Sequence, residues 1–159
     1  MKVEENIIKA LEKITYGLYV LTTKKEEEVN GMIASWVSQV SFAPPLVVVG
    51  VRKNRYSHKI IMESSIFALN VLGKEDGGLV GKFKAPTPEE KFQGIKWETK
   101  MTGAPIIKET LAYMDCKLIH SVDTGDHTLF IGEIVDAGSM KDGIPMTSHD
   151  YGKVYLGQT

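Results

Sequence analysis

Apolar residues fall at Val3, Ile7, Ile8, Leu11 and Ile14. That helical spacing predicts one apolar stripe on a charged helix over residues 3–14. From Tyr16 to Thr23 the pattern changes: Tyr, Val and Thr are frequent, which predicts a strand. Lys24 to Glu28 is charged throughout and predicts a solvated hairpin tip. Val29–Val40 then resumes as a second strand, with Gly31 as a bulge or a point of close approach. Ala43-Pro44-Pro45 marks a turn into Leu46–Val51, an apolar β-branched run of buried-strand type. Arg52–Ser57 is a basic loop, His58–Ser64 predicts a short helix, Ile66–Leu72 a strand and Glu75–Phe83 another short helix. Thr87-Pro88-Glu89-Glu90 combines a Thr cap, Pro at the first helical position and acids in the first turn, so a helix starts there. Past a loop region over Gly94–Pro105, two more strands are predicted at Leu111–Val122 and His127–Ala137. Asp123-Thr124-Gly125-Asp126 joins them as a hairpin-like turn, and Val154–Leu156 is a last short extended piece.

Six or so strands with short helices between Gly/Pro punctuation predict a closed antiparallel barrel, all-β with short peripheral helices, rather than βαβ units. The 159 residues fit one domain spanning 1–159. A chain of that length buries roughly 70% of the surface its unfolded form exposes, enough for a core without staples. The net charge of −1 provides no global field toward nucleic acid or acidic lipid, so neither is expected as a partner. One cysteine, Cys116, cannot form an intrachain disulfide, which suits a reducing compartment. Met1 to Lys13 lacks an apolar signal-peptide centre, and the longest apolar run, Pro44–Val51, is too short to cross a bilayer. The expectation is a soluble, cytoplasmic protein.

Three segments carry candidate chemistry. On and after one predicted strand, Asn30, Ser35, Ser38 and Ser41 offer polar groups beside small Gly31 and Ala34, with Trp36 as an aromatic wall. A flat heteroaromatic ligand needs that combination, because small residues let the backbone approach the ring and hydroxyls reach its edge. By spacing alone, an ordinary strand with a polar outer face fits better. Arg52-Lys53-Asn54-Arg55-Tyr56-Ser57-His58 places three cations and a hydroxyl just before a helix, which is either a phosphate site or a solvated basic loop. Asp126-His127-Thr128 opens a strand, and His127 there is a hydrogen-bond donor to a ligand or only a structural group. Dinucleotide, P-loop and nucleophile-elbow signatures are missing, and the four histidines lack metal spacing, so no metal site is expected. Cys116, mid-strand in an apolar setting, reads as a packed residue.

Asn30-Gly31-Met32-x-Ala34-Ser35-Trp36, then Ser38-x-Val40-Ser41-Phe42-x-Pro44-Pro45, Arg55-Tyr56-Ser57-His58, Lys91-Phe92 and Gly125-Asp126-His127 resemble the flavin reductase-like family. The match is closest to its flavoredoxin-type, FMN-binding split-barrel members and spans nearly the whole chain. The resemblance implies a six-stranded Greek-key barrel that forms a homodimer, with FMN near the interface. It implies Asn30, Ala34, Ser35 and Trp36, with Met32 among them, along the ribityl and ring region, and Ser38, Val40 and Ser41 toward the ring. Arg55 and Ser57, with Lys53, would hold the phosphate; Lys91 and His127 would approach the flavin from the side; Tyr151 or Tyr155 would cover it. Ser57 stands where many relatives have threonine, and Ala85–Glu90 replaces a common Ser-Gly-Arg run near the nicotinamide side. No rubredoxin-like Cys-x-x-Cys tail follows, so no iron is expected by that route.

With FMN so placed, the implied chemistry is hydride in and electrons out, with Lys91 and His127 as electrostatic tuners of the reduced ring. The implied activity is an NAD(P)H-dependent flavin or ferric reductase. The alternative is a flavoredoxin-like carrier that takes electrons from a redox protein donor without NAD(P)H activity of its own.

Overall fold

Val20, Leu21, Thr22 and Thr23 are buried in succession, on both faces of one strand, and the rest of the fold explains why. The structure, a computed structural model, describes residues 2–158; Met1, the first residue of the charged N-terminal stretch, and Thr159 lie outside the described residues. Helix α1 (Lys2–Leu11) leads into the hairpin β1 (Tyr19–Lys25) and β2 (Glu28–Ala34). The next hairpin is β3 (Val37–Ser41) and β4 (Leu46–Arg52), followed by α2 (Tyr56–Ser64) and β5 (Ile66–Val71). Two short helices, α3 (Gly77–Lys82) and α4 (Pro88–Phe92), precede the two-residue strands β6 (Trp97–Glu98) and β7 (Ile106–Ile107). A long hairpin, β8 (Ala112–Asp123) and β9 (His127–Ser139), and the single-turn α5 (Ser148–Tyr151) complete the order.

Seven strands share one antiparallel sheet in the order β2-β1-β5-β8-β9-β4-β3, and β6 pairs β7 separately. The predicted strand Val29–Val40 is therefore two strands, and they are the two edges of the sheet. Only Ser35 and Trp36 separate them, a link that spans at most about 10 Å. The sheet has to roll until its edges meet there, and β2 does lie against β4. The Gly50 amide bonds to the Trp36 carbonyl at 2.9 Å and fixes the corner.

Rolling separates an inner from an outer apolar layer. Leu21, Val47, Val49, Val51, Phe67 and Phe130 fill the inside, and Ile61 of α2 plugs it. Val20, Leu72, Val80, Phe83 and Ile107 form a second cluster outside, under α3 and α4. Neighbouring residues of β1 thus enter different cores. Each fully buried side chain of this size stabilises by roughly 1.5–3 kcal/mol. Polar groups are matched to these layers: Asn70 donates to the Val20 carbonyl at 3.0 Å and accepts from the Ile107 amide at 2.8 Å, tying β7 across the sheet. Among the described residues, no buried side-chain nitrogen or oxygen lacks a partner.

The structure departs from the sequence expectations at identifiable places. The β1–β2 register runs unbroken through Thr22 and Gly31, so Gly31 is no bulge. It is a close approach: a Cβ there would stand 2.7 Å from the Phe83 ring. Residues 154–156, expected as an extended closing piece, belong to no ladder and are held by side chains. Trp97–Glu98 forms a strand inside the expected loop. Cys116 is buried as anticipated, and burial pushes its thiol up to about 12. None of the helices described is long and apolar enough to cross a membrane.

Truncating the central inner ring, Phe130→Ala, is expected to cost about 3–5 kcal/mol. Chemical unfolding monitored by tryptophan fluorescence measures it; a loss under 1 kcal/mol contradicts this account of the core.

Candidate functional site

Where β2 passes the start of α2, the rolled sheet leaves a cleft of about 630 Å³, within the usual range for a cofactor site. One wall is β2 and its exit: Asn30, Met32, Ile33, Ala34 and Ser35. Asn30, Met32, Ile33 and Ala34 belong to β2, an edge strand of the sheet, and Ser35 follows it. The opposite wall is the Arg52–Ser57 turn and the first turn of α2. Arg55 is the N-cap of α2, in extended conformation, and no side chain caps the helix. Its first-turn amides therefore present positive partial charge to the cleft.

Lys91, on α4, ties the two walls together. Its Nζ donates to the Gly31 carbonyl at 2.8 Å and to Asn30 Oδ1 at 3.2 Å, while Asn30 Nδ2 donates to Ser57 Oγ at 2.8 Å. Asn30 and Ser57 are buried, so this row is a fixed part of the wall. Burial, and then the positive charge of Arg55, hold the Lys91 ammonium below the ordinary lysine range. The lining includes five cations, Arg52, Arg55, Lys84, Lys91 and Lys153, and no Asp or Glu. In a chain of net charge −1, such a one-signed cleft concentrates positive potential on whatever enters it.

The C-terminal segment closes the third side. A capping box at Thr147 starts α5, and Gly152, at φ 84°, stops it and turns the chain so that Lys153, Val154 and Tyr155 line the cleft. Lys84 bonds to the Tyr151 hydroxyl and lies 4.6 Å from its ring centre. Trp36 Nε1 donates to the Tyr155 carbonyl at 3.2 Å, and its ring lies 5.0 Å from that of Tyr155 and 4.4 Å from that of His127. Gly157, at φ 86°, has no room for a side chain: a Cβ would meet Trp36 at 2.7 Å and His127 at 2.9 Å. Arg52 donates to the Gly157 carbonyl.

Of the residues singled out from sequence, Asn30, Met32, Ala34, Ser35, Arg55, Ser57, Lys91 and both cover candidates, Tyr151 and Tyr155, line the cleft. Trp36 and His127 stand behind Tyr155 rather than in the lining. Ser38, Val40 and Ser41 lie outside the cleft, because the chain turns at Ser35-Trp36 and carries them along the other sheet edge as β3. Ser38 donates to the neighbouring Gln39 carbonyl. Lys53 also lies outside: it pairs with Asp123 at the end of β8 at 2.8 Å. Arg52, expected as one of three cations of the basic loop, ends β4 and lines the cleft. Two cations of the cleft, Lys84 and Lys153, were not singled out: they are isolated lysines without a local signal.

The residues fit a phosphorylated flavin on chemical grounds. An uncapped helix start with Arg55 and Ser57 suits a phosphate. Met32, Ile33, Ala34 and Tyr155 supply a largely apolar part of the lining, suited to a flat ring.

Residues 11–156 match the family described as flavin reductase like domain. The high molecular weight rubredoxin of Moorella thermoacetica is 37% identical over 155 residues, covering 95% of this chain and 68% of that protein. The ferric-chelate reductase (NAD(P)H) of Archaeoglobus fulgidus is 34% identical over 156 residues, covering 96% and 92%. Among solved structures, flavin reductase HpaC complexed with NADP+ superposes with a TM-score of 0.80 at 27% identity, covering 98% and 95%.

Gly157→Ala is expected to dislodge the C-terminal segment, since the added methyl overlaps two rings at a positive φ. The Trp36 environment should change and residues 153–157 should become open to limited proteolysis; an unaltered fluorescence and cleavage pattern contradicts the clamp.

Proposed function

The chain belongs to the flavin reductase-like family, and we propose that its cleft holds FMN and that it acts as an NAD(P)H-dependent flavin or ferric reductase. The observation that carries this reading is the meeting of a small-residue strand, an uncapped helix start and five cations without a carboxylate in one cleft. A phosphate brings a charge of about −1.5 to −2 at neutral pH, and Arg55, Ser57 and the first turn of α2 would take it. Met32, Ala34 and Ser35 would flank the ring on one side and Tyr155 on the other. Bound flavin supplies the hydride and electron chemistry. The residues around it hold the ring, and Lys91 sets a positive charge beside β2.

The same reading treats residues 1–159 as a single FMN-binding split-barrel domain. Taking β2 and β3 as two halves of one strand bent at Ser35-Trp36 makes the seven strands the six of a Greek-key barrel. It also takes the protein to be a cytoplasmic homodimer: Val40, Phe42, Ile119 and Val122 expose apolar side chains on β8 and around β3, the surface a second copy would cover. An electron carrier supplied by a redox protein is the second reading. Its support is Ala85 and Pro86, which line the cleft where a polar run would face a nicotinamide.

Purified protein mixed with FMN should acquire a bound-flavin absorption spectrum, and anaerobic NADH or NADPH should bleach it promptly. A protein that binds FMN but is bleached by neither is a carrier, and one that takes up no flavin refutes both readings. Arg55→Gln removes a charge-assisted phosphate contact of about 1.5–3 kcal/mol, so FMN should bind about ten- to a hundredfold more weakly. Riboflavin, which lacks the phosphate, should bind this variant and the wild type alike; equal losses for both ligands contradict the phosphate assignment. Lys91→Met should lower the two-electron flavin potential by about 30 mV or more, the equivalent of about 1.4 kcal/mol; an unchanged potential removes Lys91 from that role.

A further inference from the structure

Asp126, His127 and Tyr155 form a hydrogen-bonded row that begins in solvent and ends in the cleft. Asp126 Oδ1 lies 2.6 Å from His127 Nδ1, and His127 Nε2 lies 2.7 Å from Tyr155 Oη. The Asp126 side chain is 69% exposed and that of His127 only 2%. Tyr155 is the member of the row that lines the cleft. Trp36 packs against both rings, and Gly157 lies against Trp36 and His127.

The polarity of the row follows from its outer end. The hydrogen bond from His127 holds the Asp126 carboxyl below the usual range, and Arg52 stands 3.7 Å away. An ionised carboxylate only accepts hydrogen bonds. His127 Nδ1 must therefore carry hydrogen, and an imidazole with a single proton, held there, accepts at Nε2. Tyr155 then spends its O–H on Nε2, and its oxygen accepts a hydrogen bond from Arg55, a residue of the cleft lining, which places Oη at the edge of the cleft. Burial holds that phenol above its ordinary range, and the positive charges of Arg55 and Arg52 offset part of the effect.

We propose that Tyr155 accepts a proton from the ligand seated in the cleft and that His127 and Asp126 carry the charge to solvent. This extends the flavin-binding reading and rests on it. In the outward direction, an N–H or O–H bond of the ligand breaks as a bond forms to Tyr155 Oη. The proton of Tyr155 passes to His127 Nε2, the Nδ1 proton passes to Asp126, and Asp126 releases one to water. Electrons do not use this row; they leave to an anionic ferric chelate or a redox protein. The row is left with His127 protonated at Nε2 and the Tyr155 hydroxyl directed to the cleft. That arrangement returns one proton from solvent when the ligand is next reduced, so each cycle resets the row.

Two measurements decide it. Nitrogen NMR of His127 in the flavin-free protein should show neutral imidazole protonated at Nδ1, and the Nε2 tautomer in the wild type would overturn the proposal. In FMN-saturated protein, photoreduced without oxygen and then oxidised by ferric citrate in weak buffer, a pH-indicator dye reads proton release. Tyr155→Phe keeps the ring but not the relay and should slow that release about a hundredfold, the scale of a lost proton-transfer group. Release at the wild-type rate in Tyr155→Phe would overturn the relay. Failure to bind FMN at all would strike the flavin reading instead, and the tautomer then decides on the row alone.

Discussion

Two residues, Ser35 and Trp36, connect the two edge strands of a seven-stranded sheet, and the architecture follows from that short link. Strands at opposite ends of a flat sheet would lie tens of ångströms apart, with neighbours spaced about 4.8 Å. A link of about 10 Å is compatible only with a rolled sheet. Rolling makes an interior for Leu21, Phe67 and Phe130 and an exterior layer for Val20 and Phe83. It also brings the inner end of β2 opposite the start of α2, which is where the cleft lies.

The electrostatics of that cleft contrast with the chain as a whole. Acids and bases nearly cancel over 159 residues, yet the lining contains cations alone. Holding like charges together costs energy, and the wall offsets part of it through neutral acceptors. Lys91 is satisfied by a carbonyl and an amide oxygen rather than by a carboxylate. A carboxylate partner would cancel the field; neutral acceptors keep it directed at the ligand. Arg52 is shared between Asp126 and the Gly157 carbonyl, and there the charge secures the C-terminal segment.

Behind Tyr155, aromatic packing and hydrogen bonding act together. Trp36 belongs to the corner between the sheet edges, His127 to the start of β9 and Tyr155 to the C-terminal segment, three parts of the chain far apart in sequence. Their rings lie within 6 Å of one another. The corner that rolls the sheet thus also positions the residue that covers the cleft.

Much of this was legible in the sequence. Strand-type runs, rich in Tyr, Val and Thr at Tyr16–Thr23 and apolar and β-branched at Leu46–Val51, predicted β1, β4, β5, β8 and β9, because strand composition is a local property. The Thr87-Pro88 start of α4 was legible because a cap is made by neighbours: Thr87 Oγ1 accepts from the Glu90 amide at 3.2 Å. Asn30, Ala34, Ser35, Arg55, Ser57 and Lys91 were found from short motifs and the family they resemble, and the structure gathers them in one cleft. What the sequence left open depended on contacts between distant segments. The break at Ser35-Trp36 was hidden because both halves have strand composition, and only pairing with different partners divides them. Ser38, Val40, Ser41 and Lys53 share a neighbourhood in sequence with cleft residues but not in space. Lys84, Lys153 and the position of His127 behind Tyr155 were decided by folding alone, since side chains 28 or more residues apart meet only when the sheet has rolled.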